Sequence, residues 1–154
     1  MRFLPQVPAL ACATRDGDVY VNLFLAGATR VRRAGGAVMV RQKTSYPWDG
    51  RVELAIEPEE AARFALRIRI PGWARGRPVP TDLYRYAGGT EERAAITLAV
   101  NGAPAAVAIE RGFARLERTW ERGDTVVLGL PMAVRRVLAH ENVKDDAGRT
   151  ALER

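Results

Sequence analysis

Cysteine and histidine are almost absent from this sequence of 154 residues, which contains one of each. A single cysteine, Cys12, cannot form a disulfide within the chain or build a thiolate metal site by itself. It lies in the apolar stretch LACAT and is predicted to be a buried, unreactive thiol. His140 lies in the polar stretch AHENV and is predicted to occupy an exposed loop. Because the two residues are far apart in sequence, a Cys–His catalytic pair is not expected.

Long hydrophobic runs are also missing, since no apolar stretch approaches the roughly 20 residues that span a bilayer. No membrane partner is therefore expected. The N-terminal stretch MRFLPQVPALACAT has a short apolar run that two prolines interrupt. It makes a poor signal peptide, which favours a cytoplasmic location. Hydrophobic residues at 47% and charged residues at 27% indicate a globular chain, long enough for one domain with a core.

Lysine is scarce in a chain whose net charge is +6 and whose pI is about 10.2. Only Lys43 and Lys144 are lysines, and the arginines are spread along the whole sequence. In ALRIRI and VRRV the arginines alternate with apolar residues, as the exposed side of a strand requires. The sequence thus favours solvated strand faces over a phosphate-binding patch, and no nucleic-acid partner is expected. A contiguous arginine face would favour a nucleic-acid binder instead.

No catalytic constellation can be assembled from the residues that are present. The sequence contains no GxSxG, HExxH or CxxC motif, and its glycine pairs lack phosphate-loop spacing. Catalytic carboxylates need an enclosed site that separates their pKa values, whereas the pairs here lie in turns or polar segments. Those pairs are Asp16/Asp18, Glu59/Glu60, Glu91/Glu92 and Asp145/Asp146. No catalytic, cofactor-binding or metal-binding residue is predicted, and no substrate-binding residue can be named.

Short alternating segments dominate from residue 18 onwards and predict an all-β fold. About ten strands joined by tight turns are typical of an antiparallel β-sandwich, here expected to be jelly-roll-like. Asn101-Gly102 between two alternating runs predicts a two-residue hairpin turn with positive φ. The predicted core comprises Leu54, Ile56, Leu66, Ile68, Leu98, Val100, Leu116, Val127 and Leu128.

Three segments interrupt this pattern. Residues 2–11 resemble the end of a helix, although two prolines would break it. Residues 74–95 are predicted to be a long excursion with a short helical turn at TDLYRY. The stretch AVRRVLA is predicted to be the last strand, because the tail HENVKDDAGRTALER is polar and closes no element.

The tryptophans, Trp48, Trp73 and Trp120, raise the question of a sugar-binding platform. Trp48 and Trp73 each adjoin a proline or glycine at a strand boundary, and Trp120 ends a strand before the turn ERGD. A rigid aromatic at such a corner usually covers the core, so a structural role is favoured for all three. An exposed planar row of Trp48, Trp73 and a tyrosine would favour carbohydrate binding instead.

An ordered set of motifs makes the chain recognisable. The stretches DVYVNLFLAG, QKTSYPWDGRVELAIEP, FALRIRIPGWA, PVPTDLYRY, LAVNG and RTWERGDTVVLGLPMAVRRVLAHENVKDDAGRTALER occur in this order. Together they resemble the region after the catalytic barrel in glycoside hydrolase family 127, the β-L-arabinofuranosidase-like enzymes. The resemblance runs from about Arg2 to Arg154.

The resemblance implies an (α/α)6 catalytic barrel before this region and a further strand-rich domain after it. In that family a Cys-Cys-Pro-x-Asn motif near the end of the barrel supplies the nucleophilic cysteine and zinc-ligand thiolates, and an upstream glutamate is the acid/base. Cys12 lies downstream of the motif's position and does not inherit that role. The expected organisation is a barrel remnant at 1–14, a β-sandwich at 15–140 and a truncated connection at 141–154. The chain itself is expected to bind no cofactor.

The leading hypothesis is that the chain is a non-catalytic β-sandwich fragment of such a glycoside hydrolase. Its expected partners are the barrel and a second β domain of the parent enzyme, and carbohydrate is expected to bind only to the parent enzyme. The alternative is an independent carbohydrate-binding or protein-interaction module. If the fragment hypothesis holds, apolar side chains that the full enzyme buries are exposed, and the isolated chain self-associates. The candidates are Phe3, Leu4, Val7, Leu10, Leu83 and Tyr84.

Overall fold

The computed structural model of this protein describes residues 4–88 and 95–154. Within those ranges the chain forms fourteen β-strands in three sheets and short 3₁₀ segments at Leu4–Leu10, Trp73–Arg75 and Lys144–Asp146. None of the helical segments in these ranges is long and apolar enough to cross a membrane. The prediction of an all-β sandwich is confirmed.

The first sheet has five strands in the order β1-β2-β6-β11-β10. Their bounds are β1 Cys12–Arg15, β2 Asp18–Val21, β6 Ala62–Arg69, β10 Ile109–Glu110 and β11 Phe113–Trp120. All neighbours are antiparallel except β2 and β6, which run parallel with Val19 opposite Leu66. The expectation of purely antiparallel pairing is wrong for this pair, because the chain crosses to the other sheet between the two strands.

The second sheet has six strands in the order β3-β4-β5-β12-β8-β9, all antiparallel. Their bounds are β3 Gly27–Arg33, β4 Gly36–Thr44, β5 Arg51–Pro58, β8 Thr97–Val100, β9 Ala103–Pro104 and β12 Asp124–Gly129. Strand β5 has the burial alternation that its sequence RVELAIEP predicts, with every second side chain facing inward.

A third, smaller sheet was not expected. It has the order β14-β13-β7, formed by β7 Tyr84–Tyr86, β13 Arg135–Ala139 and β14 Thr150–Glu153. The helical turn predicted in TDLYRY is wrong, because Tyr84–Tyr86 pairs with β13. The polar tail likewise contains β14, so β13 is not the last strand. Both segments are too short for a hydrophobic period to be recognised in the sequence. Their conformation depends on pairing with β13, which is distant from at least one of them in the chain.

The core lies between the first two sheets. Leu54, Ile56, Leu66, Ile68, Leu98 and Leu128 are buried there, as predicted, and Val100 and Leu116 are half-buried against it. Val127 was assigned wrongly, because Val126 and Leu128 point inward and Val127 lies between them on the outer face. Each fully buried aliphatic side chain contributes about 1.5–3 kcal/mol relative to exposure.

The N-terminal segment Leu4–Leu10 is a 3₁₀ helix with Pro8 inside it rather than an α-helix. Strand β1 begins at Cys12 and therefore crosses the predicted boundary at residue 14. The division into a barrel remnant, a sandwich and a connection otherwise stays a prediction.

Candidate functional site

The two ends of the sandwich differ in how their strands are connected. At one end, which we call the turn end, five connections of two or three residues join β1–β2, β3–β4, β5–β6, β8–β9 and β11–β12. At the opposite end, which we call the loop end, lie residues 22–26, 45–50 and 130–134, the segment Leu4–Leu10 and the third sheet. The strand registers fix this division, since β4, β5 and β12 reach the loop end at Thr44, Arg51 and Gly129.

The turn end is closed by hydrogen bonds. Asn101 and Gly102 have φ values of 50° and 79°, which confirms the predicted two-residue hairpin turn. The Asn101 side-chain oxygen accepts a bond from the Thr125 backbone N–H (2.8 Å), and its amide group donates to Asp124 (2.7 Å). Burial alone would raise the pKa of Asp124, but bonds from the Glu121 backbone and Asn101 outweigh it and lower the pKa. Among the described residues, this end exposes no large hydrophobic side chain.

The loop end, by contrast, carries the exposed apolar surface. Most of the exposed large hydrophobic residues of the described ranges lie there or beside the third sheet: Leu10, Leu25, Trp48, Leu83, Val134 and Leu152. The remaining one, Ile109, lies on β10, the edge strand of the first sheet. Contiguous apolar patches are typical of contact surfaces, whereas scattered exposed hydrophobics need no explanation.

Trp48 is the most exposed of these side chains, with 79% of its surface accessible. The structural role predicted for its side chain in covering the core is therefore wrong. It lies in the β4–β5 connection, which contains a cis Tyr46–Pro47 peptide bond, two residues after the half-buried Tyr46. The adjoining proline is compatible with a buried or an exposed Trp48 side chain, so the sequence alone could not distinguish these two arrangements.

The backbone around Trp48 is nevertheless held firmly. Its N–H donates to the Ser45 carbonyl (2.8 Å), and its own carbonyl accepts a bond from the Arg154 guanidinium (3.3 Å). Gly50 is buried, and its carbonyl accepts the Leu130 N–H at 2.9 Å. An exposed indole on a fixed backbone is thus available for contact.

Trp73 and Trp120 have the structural roles that were predicted. Trp120 is fully buried, and its indole N–H donates to the Phe64 carbonyl at 3.1 Å. Trp73 packs against the core and lies 5.7 Å from the Arg135 guanidinium, which also donates to its carbonyl (2.9 Å).

Arg135 fastens the third sheet to the sandwich. Its guanidinium lies 3.8 Å from the centre of the Tyr86 ring, on the third sheet, and also covers Trp73. Burial, with the hydrogen bond to Glu153, raises the pKa of Tyr86 to about 12, so its hydroxyl stays protonated as a donor. Because Trp73 is covered, the planar row of Trp48, Trp73 and a tyrosine that would favour carbohydrate binding is not formed.

The outer face of the first sheet carries some of the arginines that raised the question of a nucleic-acid surface. Three arginines alternate with three carboxylates in one chain of ion pairs: Asp18, Arg67, Glu110, Arg115, Glu117 and Arg63. The hydrogen bond to Asp18 raises the pKa of Arg67, and the hydrogen bond from Arg115 lowers the pKa of Glu117. These cations are neutralised within the sheet, which disfavours phosphate binding.

A concave pocket of about 730 Å³ lies on the same face, beside Tyr20 and Phe113. The two rings meet edge to face with centroids 5.3 Å apart. Arg67 covers the Tyr20 ring at 5.7 Å and Arg69 covers the Phe113 ring at 5.3 Å. Each guanidinium thus covers a ring face on which a sugar could otherwise stack.

The remaining predicted positions are not brought together. Cys12 is buried at the start of β1, and burial raises the pKa of its thiol to about 11, in agreement with an unreactive cysteine. His140 is exposed and directly follows the last residue of β13. Within residues 4–88 and 95–154, no three His, Cys, Asp or Glu side chains cluster in a way that could hold a metal.

The carboxylate pairs have separate structural partners. Asp18 pairs with Arg67, Glu59 with Arg30, and Asp146 accepts a bond from the Tyr84 hydroxyl (2.9 Å). Glu91/Glu92 lie outside the described residues.

The expectation of exposed apolar side chains is confirmed for Leu10 and Leu83, while Val7 and Tyr84 are half-buried. The side chains of Phe3 and Leu4 lie outside the described part of the chain. Leu25, Val134 and Leu152 were missed by sequence reasoning. Their neighbours alternate as strand residues do, and only the packing of the two sheets shows which side chains remain uncovered.

Comparison with known proteins gives consistent matches. A family model described as "Beta-L-arabinofuranosidase, GH127 middle domain" matches residues 18–132. A curated relative, a non-reducing end beta-L-arabinofuranosidase from Bifidobacterium longum, is 34% identical over 158 residues. The alignment covers 99% of this chain and 21% of the relative.

Two solved structures resemble the whole domain. A GH127 beta-arabinofuranosidase superposes with a TM-score of 0.92 at 35% identity, covering 99% of this chain and 24% of its own. A GH127 beta-L-arabinofuranosidase from Geobacillus stearothermophilus T6 has a TM-score of 0.81 at 31% identity, covering 99% and 21%. This chain therefore spans less than a quarter of the length of these relatives.

Proposed function

The chain belongs to the GH127 beta-L-arabinofuranosidase family as a middle domain, and we propose that it is the non-catalytic β-sandwich of a larger glycoside hydrolase. In this proposal it joins a catalytic (α/α)6 barrel to a second β domain. The observation that carries the proposal is the match over residues 18–132 to a domain described as a middle domain. The apolar loop end supports it, because such a surface suits a domain packed against others.

The parent enzyme is proposed to hydrolyse terminal β-L-arabinofuranosides or related sugars with retention. The reaction needs a nucleophile and an acid/base held in an enclosed site. Here the carboxylates of the first sheet are engaged in ion pairs on an open face. The catalytic groups are accordingly assigned to the barrel.

Zinc is likewise assigned to the barrel, because the donors of this chain do not suit it. Structural and catalytic zinc sites take three or four converging thiolate, imidazole or carboxylate ligands. Cys12 is buried in the first sheet with a pKa of about 11, whereas His140 is exposed and follows β13. These two side chains cannot converge on one ion.

The genomic DNA upstream of the codon for Met1 gives a direct test. We expect an open reading frame for an (α/α)6 barrel that ends in Cys-Cys-Pro-x-Asn, joined in frame to this region. An upstream sequence encoding an unrelated domain would overturn the proposal.

A biochemical test uses the purified chain of 154 residues with arylglycosides and metal analysis. We expect no turnover and no stoichiometric zinc, whereas the complete polypeptide cleaves the β-L-arabinofuranoside. The control variant is Cys12→Ala, which changes nothing if the thiol is inert. Zinc-dependent turnover by the short chain that Cys12→Ala abolishes would show that Cys12 is a nucleophile.

A carbohydrate-binding module is the second candidate, favoured by the exposure of Trp48. An indole on a fixed backbone could stack on a sugar ring. Titration calorimetry with arabinose-containing oligosaccharides tests it. Binding that Trp48→Ala removes would favour this candidate, and the absence of binding would eliminate it.

A further inference from the structure

We propose that the concave pocket on the outer face of the first sheet binds an acidic sugar, with Arg111 holding the carboxylate and the ion pairs of the lining bonding to the hydroxyl groups. This cavity of about 730 Å³ is called the Tyr20 pocket. The inference goes beyond the proposed function, because it places a carbohydrate contact in this chain itself. Its test does not depend on the activity of the parent enzyme.

The Tyr20 pocket has a fixed polar floor. Arg67 donates to the Asp18 carboxylate at 2.9 Å and to Glu110 at 3.2 Å, and Asp18 also accepts the Ala65 N–H at 3.2 Å. The Arg67 and Asp18 side chains are 19% and 23% exposed, so they are held in place and still reach the cavity. Because a carboxylate has several acceptor positions and a guanidinium five donors, both groups keep bonding capacity for ligand hydroxyls.

Positive charge is left over beside Phe113. In the described part of the chain, the other two arginines that line the pocket, Arg15 and Arg67, pair with carboxylates. Arg111 lines the pocket next to Phe113, and Arg69 covers the Phe113 ring, yet neither forms an ion pair within residues 4–88 and 95–154. A guanidinium is the group that matches a carboxylate by two parallel hydrogen bonds. This corner of the pocket therefore suits one carboxylate of a ligand.

The backbone position of Arg111 supports a role for its side chain. Arg111 is the first residue of a two-residue hairpin turn, with φ 49°, and Gly112 follows with φ 86°. Two other turns of the described chain have this conformation, and they have Asp16 and Asn101 at the same position, with φ values of 54° and 50°. Asp and Asn tolerate the left-handed region, whereas a long side chain is strained there, and such strain concentrates at functional sites. The arginine thus costs stability in the turn, which its charge at the pocket would explain.

The lining selects the class of ligand. Asp16, Asp18 and Glu110 would repel a dense polyanion such as a nucleic acid, but their oxygens can accept bonds from sugar hydroxyls. Guanidinium groups cover the Tyr20 and Phe113 rings, so recognition depends on hydrogen bonds rather than on stacking. The volume lies in the range of small-ligand pockets. A ligand with several hydroxyls and one carboxylate on each unit, such as a uronic acid, satisfies both the lining and the surplus charge.

A nuclear magnetic resonance titration tests the ligand class. The ¹⁵N-labelled chain of 154 residues is titrated near neutral pH with digalacturonate, with the methyl ester of digalacturonate and with inorganic phosphate. We expect digalacturonate to shift the amide signals of residues 16–20 and 110–113, and we expect this binding to weaken as salt is added. No shift, shifts centred on Trp48, or equal binding of the ester or of phosphate would each overturn the proposal.

Arg111→Asn separates binding from folding. Asparagine suits the left-handed position and removes the charge, so Tm should stay the same or rise. The affinity for digalacturonate should fall at least about tenfold, since a hydrogen bond between charged groups contributes that much. The matched control is Arg122→Asn, which removes an exposed arginine from the β11–β12 turn and should leave the affinity unchanged.

The other outcomes of the variants are equally informative. Equal losses of affinity in Arg111→Asn and Arg122→Asn would show general attraction to a basic protein and overturn the site. A lower Tm for Arg111→Asn would show that the arginine stabilises the turn, which would also overturn the inference. Binding that Trp48→Ala removes would assign the sugar to Trp48 instead of the Tyr20 pocket.

Discussion

Replacing Gly50 by alanine should destabilise this domain severely for a purely steric reason. Gly50 is buried where the Trp48 loop meets the end of β12, and its φ is not in the left-handed region. An added Cβ would collide with the Leu130 carbonyl oxygen, and the Leu130 carbonyl carbon would lie only 2.9 Å away. Since both groups are backbone, no side-chain rotation can relieve the overlap.

The magnitude follows from what must move. Separating the two backbones removes the bond from the Leu130 N–H to the Gly50 carbonyl, and a buried donor left without a partner costs about 1–3 kcal/mol. Overpacking of a closely packed site adds about 1–3 kcal/mol. We expect a loss of about 3 kcal/mol or more, which lowers Tm by about 6–12 °C in a domain of this size.

Gly129→Ala is the matched control. Its Cβ would overlap the hydroxyl of Thr97, an exposed side chain that can rotate away. We expect a loss below about 1 kcal/mol. Both variants are measured by calorimetry and urea unfolding of the 154-residue chain. A Gly50→Ala variant that melts within 2 °C of the unaltered protein, or at the temperature of Gly129→Ala, would refute the reasoning.

Three further outcomes are expected of the same chain. Gly102→Val should cost at least about 1 kcal/mol, because a β-branched residue is strained at φ 79°, and an unchanged Tm would count against the turn. Trp120→Ala should cost about 3–5 kcal/mol because the Trp120 indole is fully buried, and Trp48→Ala less than about 0.5 kcal/mol because the Trp48 indole is exposed. A larger loss for Trp48→Ala than for Trp120→Ala in urea unfolding would contradict the structure. Cys12 should react with a thiol reagent only after unfolding. Rapid labelling of the folded chain at pH 8 would contradict the burial of this thiol. Because burial raises its pKa from 9.0 to about 11, the thiol contributes stability below pH 9 that is lost as the pH rises towards 11.

The all-β class, the core strands and the Asn101-Gly102 turn could be predicted from the residues alone. These features depend on local rules: a period of two for a half-buried strand, and residue types that tolerate positive φ. The ordered motifs also indicated the family correctly, since they are distributed over the whole domain rather than confined to one site. Leu54 and Ile56 were placed in the core because their strand alternates without interruption.

The short segments, by contrast, take their conformation from contacts with distant parts of the fold. Tyr84–Tyr86 and Thr150–Glu153 become strands because β13 lies between them, and neither has enough residues for its own pattern to specify pairing. Trp48, Trp73 and Trp120 occupy similar corners in the sequence, yet one is exposed, one covered by Arg135 and one buried. Their burial depends on which distant groups reach them, and that depends on how the sheets stack and where the chain crosses between them. For the same reason, the gathering of the exposed apolar residues at one end could be seen only after folding.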